Sequence, residues 1–194
     1  MRIVIVSDTH INHYHDLPKD ILASFNSADA IFHLGDFHSL ELVRELKRFR
    51  NFHGVVGNHD KGELKSVLPD TDIIEINNKK IGIVHGHGCV LPLGFQYGLL
   101  QRFNGNKLDA ILFGHTHIAV SKIIDGTLFF NPGSAIGRFP AEQRSFGILE
   151  VGDTIKSYII PIKTSFKNSI VAQAYSLVQE FSPREFYYRV TTLY

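Results

Sequence analysis

The chain has 194 residues, of which 44% are hydrophobic and 20% charged, with a formal net charge of +1. That is the balance of a single globular core, and it excludes a basic nucleic-acid stripe, an acidic tail or a low-complexity tract. The apolar start Met1–Val6 runs straight into Ser7-Asp8, too short for a membrane span or a signal-peptide core, and the lone Cys89 cannot close an internal disulfide, so the expected location is the cytoplasm.

Arg2–Val6 is a β-branched run, as expected of a strand buried on both faces. A helix is predicted from Leu17 to Phe25, marked by Asp16 and Pro18, and a second strand over Ala30–Leu34. Ser39 caps a second helix whose apolar stripe is Leu42, Val43, Leu46 and Phe49. Phe52–Val56 reads as a strand and Gly62–Leu68 as a short helix or turn. Ile73–Ile76 and Lys80–Val84 read as a hairpin through Asn77-Asn78. Helix is predicted between Pro92 and Asn104, weakened by Gly94 and Gly98, and a strand over Ala110–Phe113. Ala119–Ile124, Thr127–Phe130, Ser145–Val151 and Thr154–Ile160 form a meander separated by Asp-Gly, Asn-Pro-Gly and Gly-Asp turns. Ser169–Phe181 carries a helical apolar stripe, and Glu185–Leu193 is aromatic and strand-like.

All 11 histidines lie at or before His117. They concentrate in short clusters that follow the predicted strands: Ser7-Asp8-Thr9-His10, Gly35-Asp36, Gly57-Asn58-His59-Asp60, His85-Gly86-His87 and Gly114-His115-Thr116-His117. If those strands end at one sheet edge, Asp8, His10, Asp36, Asn58, His85, His115 and His117 form a cage for two metal ions. Carboxylate, amide and imidazole donors without thiolate suit a divalent ion of intermediate hardness, Mn²⁺, Fe²⁺ or Zn²⁺. A carboxylate can serve two cations at once, and Asp36 is the candidate bridge. Two ions against two carboxylates and a bridging hydroxide leave net positive charge for a phosphate anion. Three further residues are candidate substrate contacts: His87, two places beyond His85; His38, just past Gly35-Asp36; and Arg138, past the Asn131-Pro132-Gly133-Ser134 turn. His33 and His53 lie inside strands and read as structural, and Cys89 as a small buried apolar residue.

These strings resemble the calcineurin-like metallophosphoesterases, and within them the short prokaryotic phosphodiesterase branch that also includes the retromer scaffold subunit of eukaryotes. The likeness spans residues 1–163 and includes Asn131-Pro132-Gly133-Ser134. It implies an α/β (α+β) four-layer α/β/β/α sandwich of two stacked mixed sheets flanked by helices. By motif, Asp8, His10, Asp36 and His117 hold the first metal, and Asp36, Asn58, His85 and His115 the second. Mn²⁺ is the expected ion, with Fe²⁺, Zn²⁺ or Ni²⁺ as alternatives. His59 protonates the leaving oxygen or steadies the transition state, and Asp60 either orients His59 or sits in a surface turn. The implied activity is phosphodiester hydrolysis by metal-bound hydroxide on a small phosphate ester, without long nucleic acid or membrane. A phosphomonoesterase and a non-catalytic scaffold are the competing readings. Residues 164–194 form an extension beyond this core, expected to pack on it or to make a homo-oligomer contact.

Overall fold

The computed structural model describes residues 1–89 and 94–162. Its strands form two mixed sheets. The first contains β1 (Arg2–Val6), β2 (Ala30–His33), β3 (Phe52–Gly54), β9 (Ser145–Val151) and β10 (Ile155–Pro161), in the order β10-β9-β1-β2-β3. The second contains β4 (Thr71–Ile76), β5 (Lys79–Val84), β6 (Ala110–Phe113), β7 (Val120–Ile124) and β8 (Thr127–Asn131), in the order β4-β5-β6-β8-β7. Four short α-helices, α1 (Lys19–Phe25), α2 (Leu40–Leu46), α3 (Leu64–Val67) and α4 (Phe95–Gln101), and one 3₁₀ turn (Tyr14–Asp16) complete the described fold.

The layering follows from the period-two alternation of the strands. On β1, Val4 and Val6 join Ile21, Phe25, Leu42, Val43 and Leu46 in a core between the first sheet and its helices. Ile3 and Ile5 point the other way, into a core with Phe32, Ile81, Ile83, Leu112 and Phe130 that lies between the sheets. The outer face of the second sheet packs Val84, Ile111, Phe113 and Phe129 against Leu99 and Phe103 at α4. Three apolar cores separate four layers, which is the predicted α/β/β/α sandwich.

Element boundaries differ from expectation in small ways. Pro18 is the cap of α1 rather than its first helical residue, and β3 stops at Gly54 because the chain then turns toward the site. α4 occupies the middle of the predicted Pro92–Asn104 segment, and the expected start at Pro92 lies outside the described residues, as do the helix and strand expected beyond residue 163. The Asn77-Asn78 hairpin forms as predicted, with both residues at positive φ (50° and 60°) and Ile76 opposite Lys79. No described helix is long and apolar enough to cross a membrane.

Within each sheet, β1, β2 and β3 run parallel, as do β5, β6 and β8. Their carboxyl ends deliver the loops that carry the histidine and carboxylate clusters. Such ends are where open α/β sheets usually bind ligands.

Candidate metal centre

Three of the five clusters leave their strands by a backbone change that side chains normally avoid. Asp8 (φ 54°), His10 (45°), Asp36 (59°), His115 (65°) and His117 (59°) all lie in the left-handed region. Non-glycine residues there cost on the order of 1–3 kcal/mol each and gather at functional sites. The strain is held by splices between loops. Asp8 N–H donates to the Gly35 carbonyl, His10 N–H to that of Asp36 and Ile11 N–H to that of Phe37, each at 3.1 Å. Gly114 N–H donates to the His85 carbonyl at 3.0 Å, joining the second sheet's loops in the same way. Two of the motif glycines are required by space. A Cβ at Gly57 would overlap Asp36 Oδ1, and one at Gly114 would overlap Ser7 Oγ and crowd Asp8 Oδ2.

The donors converge in pairs. Asp8 and Asp36 are buried, with 0% and 2% of their surface exposed. Asp8 Oδ1 lies 3.1 Å from His117 Nε2 and 4.0 Å from His85 Nε2. The two oxygens of Asp36 face different partners: Oδ2 is 3.6 Å from His10 Nε2, and Oδ1 is 3.5 Å from His85 Nε2. Asn58 Oδ1 is 3.0 Å from both His85 Nε2 and His115 Nδ1. Donors bound to one ion at roughly 2.0–2.2 Å lie about 3–3.5 Å from each other, and all of these spacings except His10–Asp36 at 3.6 Å and His85–Asp8 at 4.0 Å fall in that range. Two carboxylate-histidine groups, Asp8–His10–His117 and Asp8–Asp36–His85, meet the geometry of a metal site.

Tautomers sharpen the fit. His85 Nδ1–H donates to the Leu34 carbonyl at 2.6 Å, which leaves the Nε2 lone pair aimed at the oxygens of Asp36 and Asn58. His117 Nδ1–H donates to the carbonyls of Arg138 and Phe139, both at 3.0 Å, and its Nε2 lone pair faces Asp8. Lone pair against lone pair is repulsive until a cation or a proton comes between. Without a metal, protons do this. Burial opposes charge on both rings, but the hydrogen bond to Asp36 and the nearby carboxylate charges outweigh it at His85, and the hydrogen bond to Asp8 and its charge outweigh it at His117, so both titrate above the ordinary histidine value. Burial also opposes the Asp8 and Asp36 carboxylates, yet hydrogen bonds from His117 and His85 respectively hold both below their ordinary values. His115 is pushed down to about 4 by burial and by the charge of His85. A site with this charge pattern exchanges protons for divalent cations.

The other predicted residues divide. His59 is exposed, with its ring 5.3 Å from that of His10 and its N–H on Asp36 Oδ1 at 2.9 Å. Arg138 Nη1 lies 3.4 Å from His10 Nε2. His87 approaches His85, ring to ring at 5.6 Å, and its Nδ1 is buried without a hydrogen-bond partner. His38 is exposed, with φ at 99°, and donates its N–H to Asp60. Asp60 is neither an orienter of His59 nor a surface turn residue. It is fully buried, and its carboxylate accepts the backbone N–H groups of Asp36, Phe37, His38 and Gly57 at 2.8–3.3 Å. Four donors fill its lone pairs, so it fixes the loops that carry Asp36 and Asn58 instead of meeting an imidazole. His33 is structural, as expected.

Sequence reasoning missed the supports. Ser7 Oγ–H donates to Asp8 Oδ2 at 2.5 Å. Asn131 Nδ2–H donates to the Gly114 carbonyl and to Thr116 Oγ1, and Ser134 Oγ–H donates to the Asp8 carbonyl. Asn131 and Ser134 belong to a string noted in the sequence, but nothing in that string says which loop it holds.

A buried, strained, histidine-carboxylate centre at the carboxyl edge of an α/β/β/α sandwich defines a metallophosphoesterase-type protein. Residues 1–154 match the Calcineurin-like phosphoesterase superfamily domain, and the chain belongs to that family. A protein of Methanocaldococcus jannaschii named as a probable metallophosphoesterase is 34% identical, over 84% of this chain and 82% of its own. A phosphodiesterase from the same organism is 30% identical, over 71% of this chain and 86% of its own. The crystal structure of Vps29 from Entamoeba histolytica in complex with zinc is 27% identical and superposes with a TM-score of 0.64, covering 84% of this chain and all (100%) of that one.

Proposed function

We propose that this protein is a dinuclear, metal-dependent phosphodiesterase acting on a small phosphate ester in the cytoplasm. The observation that carries this reading is Asp36, whose two buried oxygens face two different histidine groups. Asp8, His10, Asp36 and His117 would hold one ion, and Asp36, Asn58, His85 and His115 the other. Mn²⁺ is the ion proposed, with Fe²⁺, Zn²⁺ and Ni²⁺ suited to the same donors. Bound there, divalent ions supply an activated water near neutral pH and stabilise charge on the phosphoryl oxygens.

The chain's own groups do the rest. Leu34, Arg138 and Phe139 carbonyls hold the imidazoles of His85 and His117 in the tautomer that offers Nε2 to the centre. The Asp60 carboxylate locks the two ligand loops together. His59, exposed beside His10, donates a proton to the departing alcohol oxygen, which a diester with a poor leaving group requires. The relative named as a phosphodiesterase supports the diester over the monoester. A scaffold without catalysis would have no use for strain at five of the seven proposed ligands.

The test is a comparison of bis(p-nitrophenyl) phosphate with p-nitrophenyl phosphate on Mn²⁺-loaded protein. The diester is expected to be the better substrate in kcat/KM by at least about tenfold. A faster monoester would make the protein a phosphomonoesterase on the same site, and no turnover of either would remove the enzyme reading.

A further inference from the structure

The proposed ligand set is suited to cations, yet a guanidinium is held against one of its members. Arg138 Nη1 lies 3.4 Å from His10 Nε2 and 3.5 Å from His10 Nδ1. The two ring nitrogens flank Cε1, so an atom almost equidistant from both at this range stands over the ring face. In the ring plane it would overlap Cε1. The contact is therefore a cation on an imidazole face, and it leaves the in-plane Nε2 lone pair to the side of Asp36, whose Oδ2 is 3.6 Å away. Arg138 and an ion on His10 Nε2 can be present together, one over the ring and one at its edge.

The arrangement is fixed through the backbone. Arg138 N–H donates to Ser134 Oγ at 3.3 Å, and Ser134 Oγ–H donates to the Asp8 carbonyl at 3.3 Å. The Arg138 carbonyl accepts from His117 Nδ1 at 3.0 Å. Asp8, His10 and His117 belong to one proposed ligand group, and all three are tied to Arg138 or to its loop. Arg138 is exposed, and among the described residues no Asp or Glu carboxylate pairs with its guanidinium. A positive charge so placed repels a divalent ion, and more strongly at low salt. The repulsion turns into attraction once an anion is shared by the two cations. The net charge of +1 gives no general attraction for anions, so capture depends on local cations such as this one.

We propose that Arg138 is the anion anchor of the centre: its guanidinium takes a phosphoryl oxygen and so couples phosphate binding to the ion held at His10. Without an anion the guanidinium weakens that ion, and with one it helps to retain it. The coupling is reciprocal, so the ion at His10 tightens phosphate by the same factor. Arginine suits the role because its planar fork matches phosphate oxygens and its charge does not titrate. This rests on the dinuclear reading and deepens it, by linking metal loading to the substrate's phosphate.

The experiment titrates Mn²⁺ into the full, chelator-stripped chain, with and without inorganic phosphate, and follows free Mn²⁺ by electron paramagnetic resonance. Wild type, Arg138→Gln and Arg138→Lys are compared; glutamine keeps a flat group over the ring and removes the charge. Saturating phosphate should tighten the weaker of the two wild-type ions by about tenfold. Without phosphate, Arg138→Gln should bind that ion about threefold more tightly than the wild type, because the repulsion is gone. Its gain from phosphate should shrink to about twofold, and Arg138→Lys should keep an intermediate gain. Weaker Mn²⁺ binding by Arg138→Gln without phosphate would make Arg138 a prop for the His10 ring and overturn the proposal. So would a gain from phosphate equal to that of the wild type, with two ions still bound. Fewer than two ions bound by the wild type under either condition would instead overturn the dinuclear reading, and the proposal with it.

Discussion

His33 and His85 are both fully buried, both sit at or just past the end of a strand, and both lie near Asp8 and Asp36. Their pockets make them different chemical objects. His33 accepts the Gly35 N–H at Nδ1 (3.2 Å), donates from Nε2 to Thr9 Oγ1 (3.0 Å) and stacks on Phe37 with ring centroids 3.6 Å apart. Both nitrogens are spent on the protein, and burial pushes its titration down to about 3. His85 spends one nitrogen on a backbone carbonyl and turns the other, lone pair first, toward oxygens. Burial and proximity to carboxylates do not make a candidate metal ligand. A second nitrogen left unspent does, and the backbone group opposite the first nitrogen decides which nitrogen that is.

The largest expected effect comes from removing the carboxylate that gives the His85 nitrogen its use. Asp36→Ala should lose both ions and reduce turnover to the uncatalysed background, as counted by elemental analysis and diester hydrolysis. A variant that retained two ions per chain would remove Asp36 as the bridge. His59 offers a third kind of histidine, exposed and outside the proposed ligand set. His59→Ala should lower kcat by roughly 10²–10⁴-fold on an ester with a poor leaving group while metal content stays constant. An activated p-nitrophenyl ester should suffer much less, and equal losses on both esters would deny His59 the proton-donor role.

The protons on His85 and His117 sharpen the contrast next. Both titrate above the ordinary value in the metal-free protein, so an incoming ion must displace a proton that the folded state holds. Metal affinity should therefore rise with pH through the neutral range, with proton release measurable by calorimetry in buffers of different ionisation enthalpy. An affinity independent of pH would mean that Nε2 of these rings already holds no proton.

The smallest effect is on His33. His33→Gln should leave metal affinity within about twofold and cost about 2 kcal/mol of stability through lost hydrogen bonds and stacking. The sign of its pH dependence is fixed by its lowered titration. Between pH 6.5 and about 3 the unfolded chain binds a proton that folded His33 refuses, so its contribution is full above 6.5 and is lost as pH falls. His10 and His115 are also lowered and act in the same direction. The difference between wild type and His33→Gln in metal-free protein isolates the His33 part: the variant's stability should fall less steeply below pH 6.5. Parallel curves would mean that His33 is charged in the folded state.

The strands, and the set of side chains that their loops bring together, were legible because they depend on residue type and local spacing. The continuous β-branched run in Arg2–Val6 predicts a strand buried on both faces, and alternate imidazoles in His115-Thr116-His117 have no packing explanation. The job of Asp60 was not legible, because four backbone donors from two loops leave no trace in residue type. Nor were the carbonyls of Leu34, Arg138 and Phe139, since any residue supplies a carbonyl. Sequence patterns report side chains, whereas half of this centre's organisation is main chain. The left-handed backbone at Asp8, His10, Asp36, His115 and His117 was equally hidden, because no residue there is glycine.

The claim that two ions share Asp36 is tested most directly by titrating chelator-stripped protein with Mn²⁺ while counting bound ions and following diester hydrolysis in the same samples. The account predicts two ions per chain, with activity appearing as the second binds and both lost together in Asp36→Ala. Full activity at one ion per chain, or two ions bound by Asp36→Ala, would contradict it.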